Sequence, residues 1–394
     1  MALRGTNQEF GRPYNRRIVL ETIRVHGPVT RADIARKVGL TIQTVSTIIR
    51  ELEEQGFILA RREEPRGRGS PASTFAIDPA GGFAIGLHVT PRGIEAALIN
   101  LAGEVIGRDD RALPGVDADT AFTEIRTLVD GLSALQPDGR MLGVGMAMPG
   151  PFGVESMSFV GPTTLQGWKD VPVRDRLAAA TGLPAFIEVD LAAAAHGERL
   201  YGLGSDFRDF YYLYFGVGLG GSMVHDGVAL RGAWGNAGEI GHIPLVPGGD
   251  LCPCGNHGCL ERYLSLEAYE RRAKMIGEAA WLDEVAPILR SAVVTIENLF
   301  DPATIILGGL VPNNLLAKLI EAAEPLPNSI ASRGNRRAKR LMSSAAGHDA
   351  VLRGAAALAV SGVLSPRFGI MFTQSEDRAD RDPIMRDAGK ARAA

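Results

Sequence analysis

The sequence contains little cysteine and no long apolar segment. Three cysteines occur among 394 residues, and an odd count without a secretory segment makes a disulfide framework a poor explanation for them. No run of 18 apolar residues occurs, and no apolar core follows the basic residues at the N-terminus. These absences argue against a membrane span and a signal peptide, so we expect a cytoplasmic protein.

Acidic residues are outnumbered by basic ones in the first 74 positions. This segment carries 13 Lys and Arg against 8 Asp and Glu, a net charge of +5, whereas the remainder carries 29 against 37, or −8. A local positive excess is typical of a surface that binds phosphates, and an acidic body would be repelled by nucleic acid. Because many basic segments are merely solvated, the charge alone leaves DNA binding open.

The basic segment has the pattern of a helix-turn-helix. Apolar spacing predicts a first helix over 15–25, a second that is opened by a cap at Thr30 and ends at Val38, and a third over 40–55. Gly39 supplies the tight turn between the last two. This arrangement matches a DNA-binding helix-turn-helix, although a small helical bundle would show the same spacing.

The outer side of the third predicted helix is polar and short-chained. Gln and Arg there suit base edges, and Thr and Ser suit phosphates. Two strands, over 57–62 and 73–77, predict a wing, and the Arg-Gly-Arg piece between them would either enter a minor groove or act as a flexible linker. The candidate DNA contacts are Thr41, Gln43, Thr44, Ser46, Thr47, Arg50, Arg66 and Arg68.

From Gly82 onward the pattern changes to α/β. Three strands precede a helix and a fully apolar strand, and a further strand that ends in a Gly-rich turn occurs later in the chain. The predicted elements are strands over 83–89, 94–99, 104–107, 141–148 and 210–215, and helices over 119–135, 281–300, 315–323 and 350–364.

All three cysteines fall within eight positions. Cys252, Cys254 and Cys259 place three thiolates within reach of one ion, and His242 is the nearest imidazole that can complete a tetrahedral shell. Such a closed shell predicts a structural zinc ion holding a loop rich in Gly and Pro. A disulfide or three unliganded thiols are the alternatives.

The segment from Glu239-Ile-Gly-His242 through Cys252 to Glu261 resembles the ROK family of repressors and sugar kinases. In that family the His binds zinc and contacts the sugar, and the two Glu accept hydrogen bonds from sugar hydroxyls. The resemblance therefore implies a sugar site at Glu239, His242 and Glu261. For either Glu taken alone, a solvated surface charge would be the simpler interpretation.

Asp190 extends the resemblance, which runs in patches from about Pro13 to Val363. Its segment is similar to the element that carries the general base of ROK kinases, which implies that Asp190 also contacts the sugar. The family's preceding Asn is Val189 here, so one hydroxyl partner is missing. Asp190 could equally be the N-cap of the helix that follows it.

The first hairpin of the α/β region separates a kinase from a repressor. ROK kinases resemble D-x-G-G-T here, where the Asp serves the metal and phosphate and the glycines let the backbone approach the phosphates. This chain has His88-Val-Thr-Pro91-Arg92, so the carboxylate is absent, and Pro91 removes a backbone N–H donor. We infer that the γ-phosphate site is lost and interpret the later Gly-rich turns at 216–221 and 305–309 as close-packing devices.

These patterns predict an α/β chain in which a winged helix-turn-helix (1–78) precedes a two-lobed actin-like ATPase fold with a zinc loop. The first lobe is expected at 79–190, the second at 191–365 and a disordered tail at 366–394. The predicted function is a non-enzymatic, sugar-responsive repressor that binds double-stranded operator DNA as a homodimer or homotetramer. The alternatives are a ROK sugar kinase with an accessory domain and a zinc-stabilised sugar sensor that acts through protein partners.

Overall fold

The computed structural model describes residues 11–62, 73–115, 117–150, 165, 167–168, 171–233, 237–331, 333–334, 336 and 338–364. The predicted DNA contacts Arg66 and Arg68 and the predicted tail at 366–394 lie outside the described residues.

The N-terminal part is a winged helix-turn-helix, as predicted. Thr30 caps the second helix by accepting a hydrogen bond from the backbone N–H of Asp33 at 3.2 Å, and Gly39 turns the chain with a φ of 71°. The third helix begins two residues later than predicted because Thr41 is its N-cap and accepts the N–H of Thr44. The elements are α1 (Gly11–His26), β1 (Val29–Thr30), α2 (Arg31–Val38), α3 (Ile42–Glu54), β2 (Ile58–Arg62) and β3 (Ser73–Ile77), with sheet order β1-β3-β2.

A five-stranded sheet follows, in the order β6-β5-β4-β7-β8. Its first three strands form an antiparallel meander in which His88 of β4 pairs with Glu95 of β5, and β7 and β8 add parallel to β4. The apolar faces of two helices, α4 and α5, cover one side of the sheet. The elements are β4 (Phe83–Thr90), β5 (Gly93–Asn100), β6 (Val105–Ala112), α4 (Ala118–Ser133), β7 (Met141–Met148), α5 (Val173–Thr181) and β8 (Ala185–Val189).

A second five-stranded sheet has the order β11-β10-β9-β12-β13. The longest helix, α8, buries Trp281, Val285 and Leu289 in the core of this second unit. No helix within the described ranges is long and apolar enough to cross a membrane. The remaining elements are α6 (Asp190–Tyr201), β9 (Phe210–Phe215), β10 (Leu219–His225), β11 (Val228–Ala229), α7 (Leu266–Ile276), α8 (Glu278–Phe300), β12 (Ile305–Gly309), α9 (Asn313–Ala323), β13 (Leu341–Ser343) and α10 (Ala350–Leu364).

Strand β6 is longer than predicted. The sequence predicts a strand over 104–107, yet pairing with β5 continues through the charged residues that follow to Ala112. This strand lies at the edge of the first sheet, where charged side chains such as Asp109 and Asp110 point into solvent and discourage pairing with another chain.

The small-residue helix α10 returns to the first sheet and packs against it and against α6. A Cβ atom added at Gly145 of β7 would lie 1.8 Å from the carbonyl oxygen of Ala355, and one at Gly354 would lie 1.8 Å from the carbonyl oxygen of Ala193. Gly86 of β4 meets α10 in the same way. These glycines therefore permit contact between backbones that no side chain would tolerate.

The winged helix-turn-helix shares its core with this junction. Ile18 and Ile23 of α1 belong to the same continuous buried cluster as Leu352 and Val360 of α10. At the neighbouring surface, Arg24 donates two hydrogen bonds, of 2.7 and 2.8 Å, to the Glu21 carboxylate. The DNA-binding module is thus packed directly on the α/β body.

The junction yields a prediction for two helical glycines. We expect Gly354→Ala to destabilise the protein by about 1 to 3 kcal/mol, because the added methyl group cannot be accommodated without shifting α10 or α6. Gly131→Ala on α4 is the matched control, since no atom lies within 4 Å of the position that its added methyl group would take; it should be neutral or stabilising by up to about 1 kcal/mol. Urea unfolding of both variants checks this. Equal stability of the two would contradict a backbone contact at Gly354.

Candidate functional site

The structure brings together the four predicted metal ligands. The Sγ atom of Cys252 lies 3.5 Å from Nδ1 of His242, and the Sγ atoms of Cys254 and Cys259 lie 3.6 Å apart. All four ligand atoms lie within 4.8 Å of one another. A tetrahedral ion with ordinary Zn–N and Zn–S bond lengths separates its ligand atoms by about 3.5 to 3.8 Å. The donor set and its spacing therefore fit one metal ion.

Short loop contacts form this cluster. Isolated bridges join Pro244 to Cys259 and Leu251 to His257, so that the cysteine loop folds back onto the segment that carries His242. Burial opposes ionisation of Cys254, yet the backbone N–H of Asn256 and the neighbouring thiols outweigh it and lower the pKa of this thiol to about 7. A thiolate is thus accessible near neutral pH, as metal ligation requires.

His242 faces two ways. Its Nδ1 atom points at Cys252, while its Nε2 atom lies 3.8 Å from Oε2 of Glu239. A ring that ligates a metal through one nitrogen is oriented by what its other nitrogen meets. His242 therefore connects the metal cluster to the carboxylates predicted to bind a sugar.

The predicted sugar-binding residues share one site. Burial raises the pKa of Glu239; His242 opposes this shift, whereas the negative charges of Glu261 and Asp190 add to it. Glu261 is itself held in place by the backbone N–H of Leu219, which donates to its carboxylate at 3.0 Å. Three carboxylates thus converge beside the metal cluster, close enough to feel one another's charge.

Asp190 reaches this site from the first turn of α6. It is not the N-cap, as one interpretation of the sequence held: Val189 occupies that position, and the Asp190 carboxylate accepts the N–H of Leu191 at 2.8 Å. Burial raises the pKa of Asp190, and the neighbouring His88 partly offsets this effect. The helix start therefore aims a poorly solvated carboxylate into the site.

The first hairpin of the α/β region, between β4 and β5, follows directly on the strand that carries His88. Pro91 and Arg92 form a two-residue turn between β4 and β5, since Thr90 pairs with Gly93. The Arg92 guanidinium lies 3.1 Å from the carboxylate of Glu270 on α7, so this ion pair joins the two α/β units. The turn thus makes a protein contact where the family resemblance implies phosphate binding.

The sequence predictions missed two residues of this site. His88 on β4 and Tyr214 on β9 are both buried. The imidazole of His88 and the hydroxyl of Tyr214 each interact electrostatically with the Asp190 carboxylate. His88 was recognisable as a polar residue in an otherwise apolar strand, whereas nothing distinguishes Tyr214 in the run Phe210–Phe215.

The polar face of α3 is largely accessible. Thr41, Gln43, Thr44, Thr47 and Arg50 are exposed, and Ser46 is half-buried. The three threonine hydroxyls already make local hydrogen bonds, between Thr41 and Thr44 at 2.8 Å and from Thr47 to the Gln43 carbonyl. Ile42 is 58% exposed on the same helix, a feature that the sequence predictions did not identify.

Comparison with known proteins agrees with these features. The ROK family model matches residues 84–361, and a winged helix-turn-helix DNA-binding model matches residues 13–58. The chain therefore belongs to the ROK family, with a DNA-binding module at its N-terminus. It is 29% identical over 281 residues to a putative xylose repressor of Caldicellulosiruptor sp. (strain Rt8B.4), a match that covers 71% of this chain and 70% of that protein.

Solved structures show the same fold. A ROK family transcriptional regulator described as a homologue of the Escherichia coli MLC protein superposes with a TM-score of 0.70 at 23% identity, over 91% of this chain and 98% of the other. A ROK family glucokinase from Streptomyces griseus, in complex with glucose and AMPPNP, superposes with a TM-score of 0.57 at 26% identity, over 71% of this chain and 100% of the enzyme. The α/β body is thus common to regulators and kinases.

The raised pKa of Asp190 leads to a prediction on stability. A carboxyl whose folded pKa is raised disfavours folding once it ionises, so Asp190→Asn should stabilise the unliganded protein above the folded pKa, on the order of 1 kcal/mol. The difference from wild type should narrow as the pH falls towards the unfolded value of about 3.9. Urea unfolding at about pH 8 and about pH 5 measures it.

Asp109→Asn is the control for this measurement. The hydrogen bond from Arg111 lowers the pKa of the exposed Asp109, so its ionised form favours folding and its replacement should not stabilise the protein at high pH. A destabilised Asp190→Asn at about pH 8 would show that the carboxylate is well paired in the unliganded site.

Proposed function

We propose that this protein is a sugar-responsive transcriptional repressor, which binds operator DNA through the winged helix-turn-helix and a sugar or sugar derivative through Asp190, Glu239, His242 and Glu261. One observation carries the proposal: a helix-turn-helix with an accessible polar recognition face is packed onto the same body that gathers these carboxylates. Relatives named xylose repressor support it.

The chemistry of the cleft supports a polyhydroxylated ligand. Carboxylates accept charge-assisted hydrogen bonds from hydroxyl groups, and a buried acceptor left without a partner costs about 1 to 3 kcal/mol. In the unliganded protein this cost is raised by burial and by the mutual repulsion of three carboxylates, those of Glu239, Glu261 and Asp190. The site would therefore distinguish ligands by the positions of the hydroxyl groups that donate hydrogen bonds to these carboxylates.

A role as an enzyme is not proposed. The turn at Pro91 and Arg92 lacks the carboxylate and flexible glycines of the kinase pattern, and Arg92 is engaged by Glu270. Kinases share the fold, so the distinction depends on these residues. Nucleotide-dependent phosphorylation across a sugar panel would support the rival assignment of a sugar kinase with an accessory DNA-binding domain.

Helix α6 connects the two proposed binding sites. It begins at Asp190 in the carboxylate site, and its last turn reaches Arg199 and Tyr201, whose side chains interact electrostatically with Glu21 and Arg24 of α1. A sugar that shifts the start of α6 would displace the surface on which the DNA-binding module packs.

DNA recognition further implies an oligomer. One recognition helix reads a half-site, and repressors gain affinity by presenting two, so we propose a homodimer or homotetramer on a double-stranded operator. Gln43 and Arg50 are exposed on α3. Gln43 suits base readout, and Arg50 suits a phosphate. Ser46, being half-buried, is the weakest of the candidate contacts on this helix.

Operator binding with and without sugar tests the function. Arg50→Ala should weaken binding to all sequences alike and reduce the salt slope by about 1, because one phosphate contact is lost. Glu239→Gln should weaken sugar binding and remove the sugar's effect on operator affinity, a shift of about 5- to 150-fold in typical switches. DNA selected from a random pool supplies the operator, and calorimetry measures the sugar.

Arg126→Ala is the matched control for the DNA arm of this experiment. Arg126 is an exposed arginine on α4 that pairs with Asp130, outside the helix-turn-helix. It should leave the salt slope unchanged. A wild-type protein that selects no DNA, or a protein without residues 1–77 that still binds the operator, would refute the assignment.

The metal is proposed to be one structural zinc ion per chain, held by His242, Cys252, Cys254 and Cys259. When bound, it would fix the loop and the orientation of the His242 ring towards Glu239. We expect near-stoichiometric zinc in protein purified without added metal, and loss of zinc together with a lower unfolding temperature in Cys254→Ser. Metal analysis and thermal unfolding check this; a fully stable native protein without metal would contradict it.

A further inference from the structure

Two buried side chains have polar atoms for which the described part of the chain offers no hydrogen-bond partner. Within the described residues, both ring nitrogens of His88 and the hydroxyl of Tyr214 accept or donate no hydrogen bond. His88 is 1% exposed and Tyr214 is 3% exposed. Each unsatisfied buried group costs about 1 to 3 kcal/mol, so such groups require an explanation.

These atoms lie beside the proposed sugar site. Nδ1 of His88 is 3.8 Å from a carboxylate oxygen of Glu95, its partner across the β4–β5 pairing. His88 also acts electrostatically on Asp190, and Asp190 and Glu95 both act on the Tyr214 hydroxyl. The four side chains, contributed by β4, β5, α6 and β9, therefore lie within electrostatic range as one cluster.

The charges around the cluster restrict what it can bind. Glu95 lies 3.8 Å from the imidazole, and Asp190 is within electrostatic range of it. A ligand group with a negative charge would be repelled by them in a poorly solvated environment. A hydroxyl group suits the cluster, since it can donate to Asp190 and accept from an N–H of His88.

We propose that His88 and Tyr214 form a polar subsite next to Asp190, which takes hydroxyl oxygens of an uncharged polyhydroxy effector and excludes phosphorylated sugars. The inference rests on the proposed function, because it places part of the same ligand. The His88 imidazole donates to a hydroxyl that Asp190 accepts from, and the Tyr214 hydroxyl binds a neighbouring oxygen. His88 and Tyr214 are thus specificity-determining residues for the effector.

Tyr212 provides an internal comparison. It lies two residues before Tyr214 on β9 and is equally buried. Its hydroxyl also has no hydrogen-bond partner within the described residues and acts electrostatically on that of Tyr214. The carboxylate that acts on Tyr212 is Glu198, however, whereas Asp190 and Glu95 act on Tyr214. Tyr212→Phe therefore removes a buried, unpartnered hydroxyl from the same strand while it keeps every polar atom of the proposed subsite.

Calorimetry on the full-length protein tests the subsite, with neutral pentoses, hexoses and N-acetylhexosamines and their monophosphates as probes. Wild type should bind a neutral sugar at least about tenfold more tightly than its phosphate ester, which corresponds to about 1.4 kcal/mol. Tyr214→Phe and His88→Leu should each weaken binding of the neutral sugar by about 5- to 20-fold. His88→Gln keeps a hydrogen-bond donor, so it should weaken this binding less. Tyr212→Phe should bind like wild type.

Unfolding of the unliganded variants separates a ligand contact from a structural role. Because these polar atoms make no hydrogen bond within the described residues, Tyr214→Phe should not lower the unfolding temperature of the unliganded protein, and His88→Leu should lower it little, since it loses only the 3.8 Å contact with Glu95. Both variants should reduce the rise in unfolding temperature that the sugar causes. Lower stability without sugar, together with an unchanged rise, would overturn the subsite in favour of a structural role.

The outcomes distinguish the subsite from the proposed function. If no sugar binds wild type, the proposed function fails and the subsite with it. If a sugar binds and Glu239→Gln weakens it, while the His88 and Tyr214 variants bind like wild type, the function stands and the subsite is refuted. Tighter binding of a phosphorylated sugar than of its neutral form would overturn the charge argument.

Discussion

The contact between the backbones of α6, α10 and the first sheet is the constraint on which the rest of the structure depends. Gly354 meets the carbonyl of Ala193, and Gly145 meets that of Ala355, at distances that exclude any side chain. Because α10 also contributes to the core of the winged helix-turn-helix, this tight layer fixes the position of the DNA-binding module relative to the helix that carries Asp190. Interiors packed at this density transmit displacement instead of absorbing it.

The shared α/β body explains how one fold can serve both regulators and kinases. The α/β body supplies the cleft and the carboxylates, and chemistry is decided by a few residues at its edges. In this chain the first hairpin carries Pro91 and Arg92, and the guanidinium of Arg92 contacts Glu270 on the other α/β unit. This turn therefore contacts the other α/β unit through an ion pair at the position where the kinase pattern has a carboxylate and glycines.

Much of the fold could be predicted because burial leaves a strong pattern in the sequence. Strand β7 and helix α10 are almost wholly apolar, and both have the bounds that were expected. Strand β6 could not be bounded, since its pairing with β5 overrides a charged local sequence. For the site, the spacing of Cys252, Cys254 and Cys259 was sufficient to predict a cluster, whereas Tyr214 could not be found, because the sequence does not reveal which buried hydroxyl lacks a partner.

The two-sided position of His242 would couple the affinity for the proposed zinc ion to the affinity for the proposed sugar. One nitrogen of the ring faces the thiols and the other faces Glu239, so a metal ion and a bound sugar would each restrict the same rotation of the same ring. By thermodynamic linkage, the factor by which a bound ion increases the affinity for the sugar equals the factor by which a bound sugar increases the affinity for the ion. A cell rich in the sugar would therefore also be one in which this protein gives up its metal least readily.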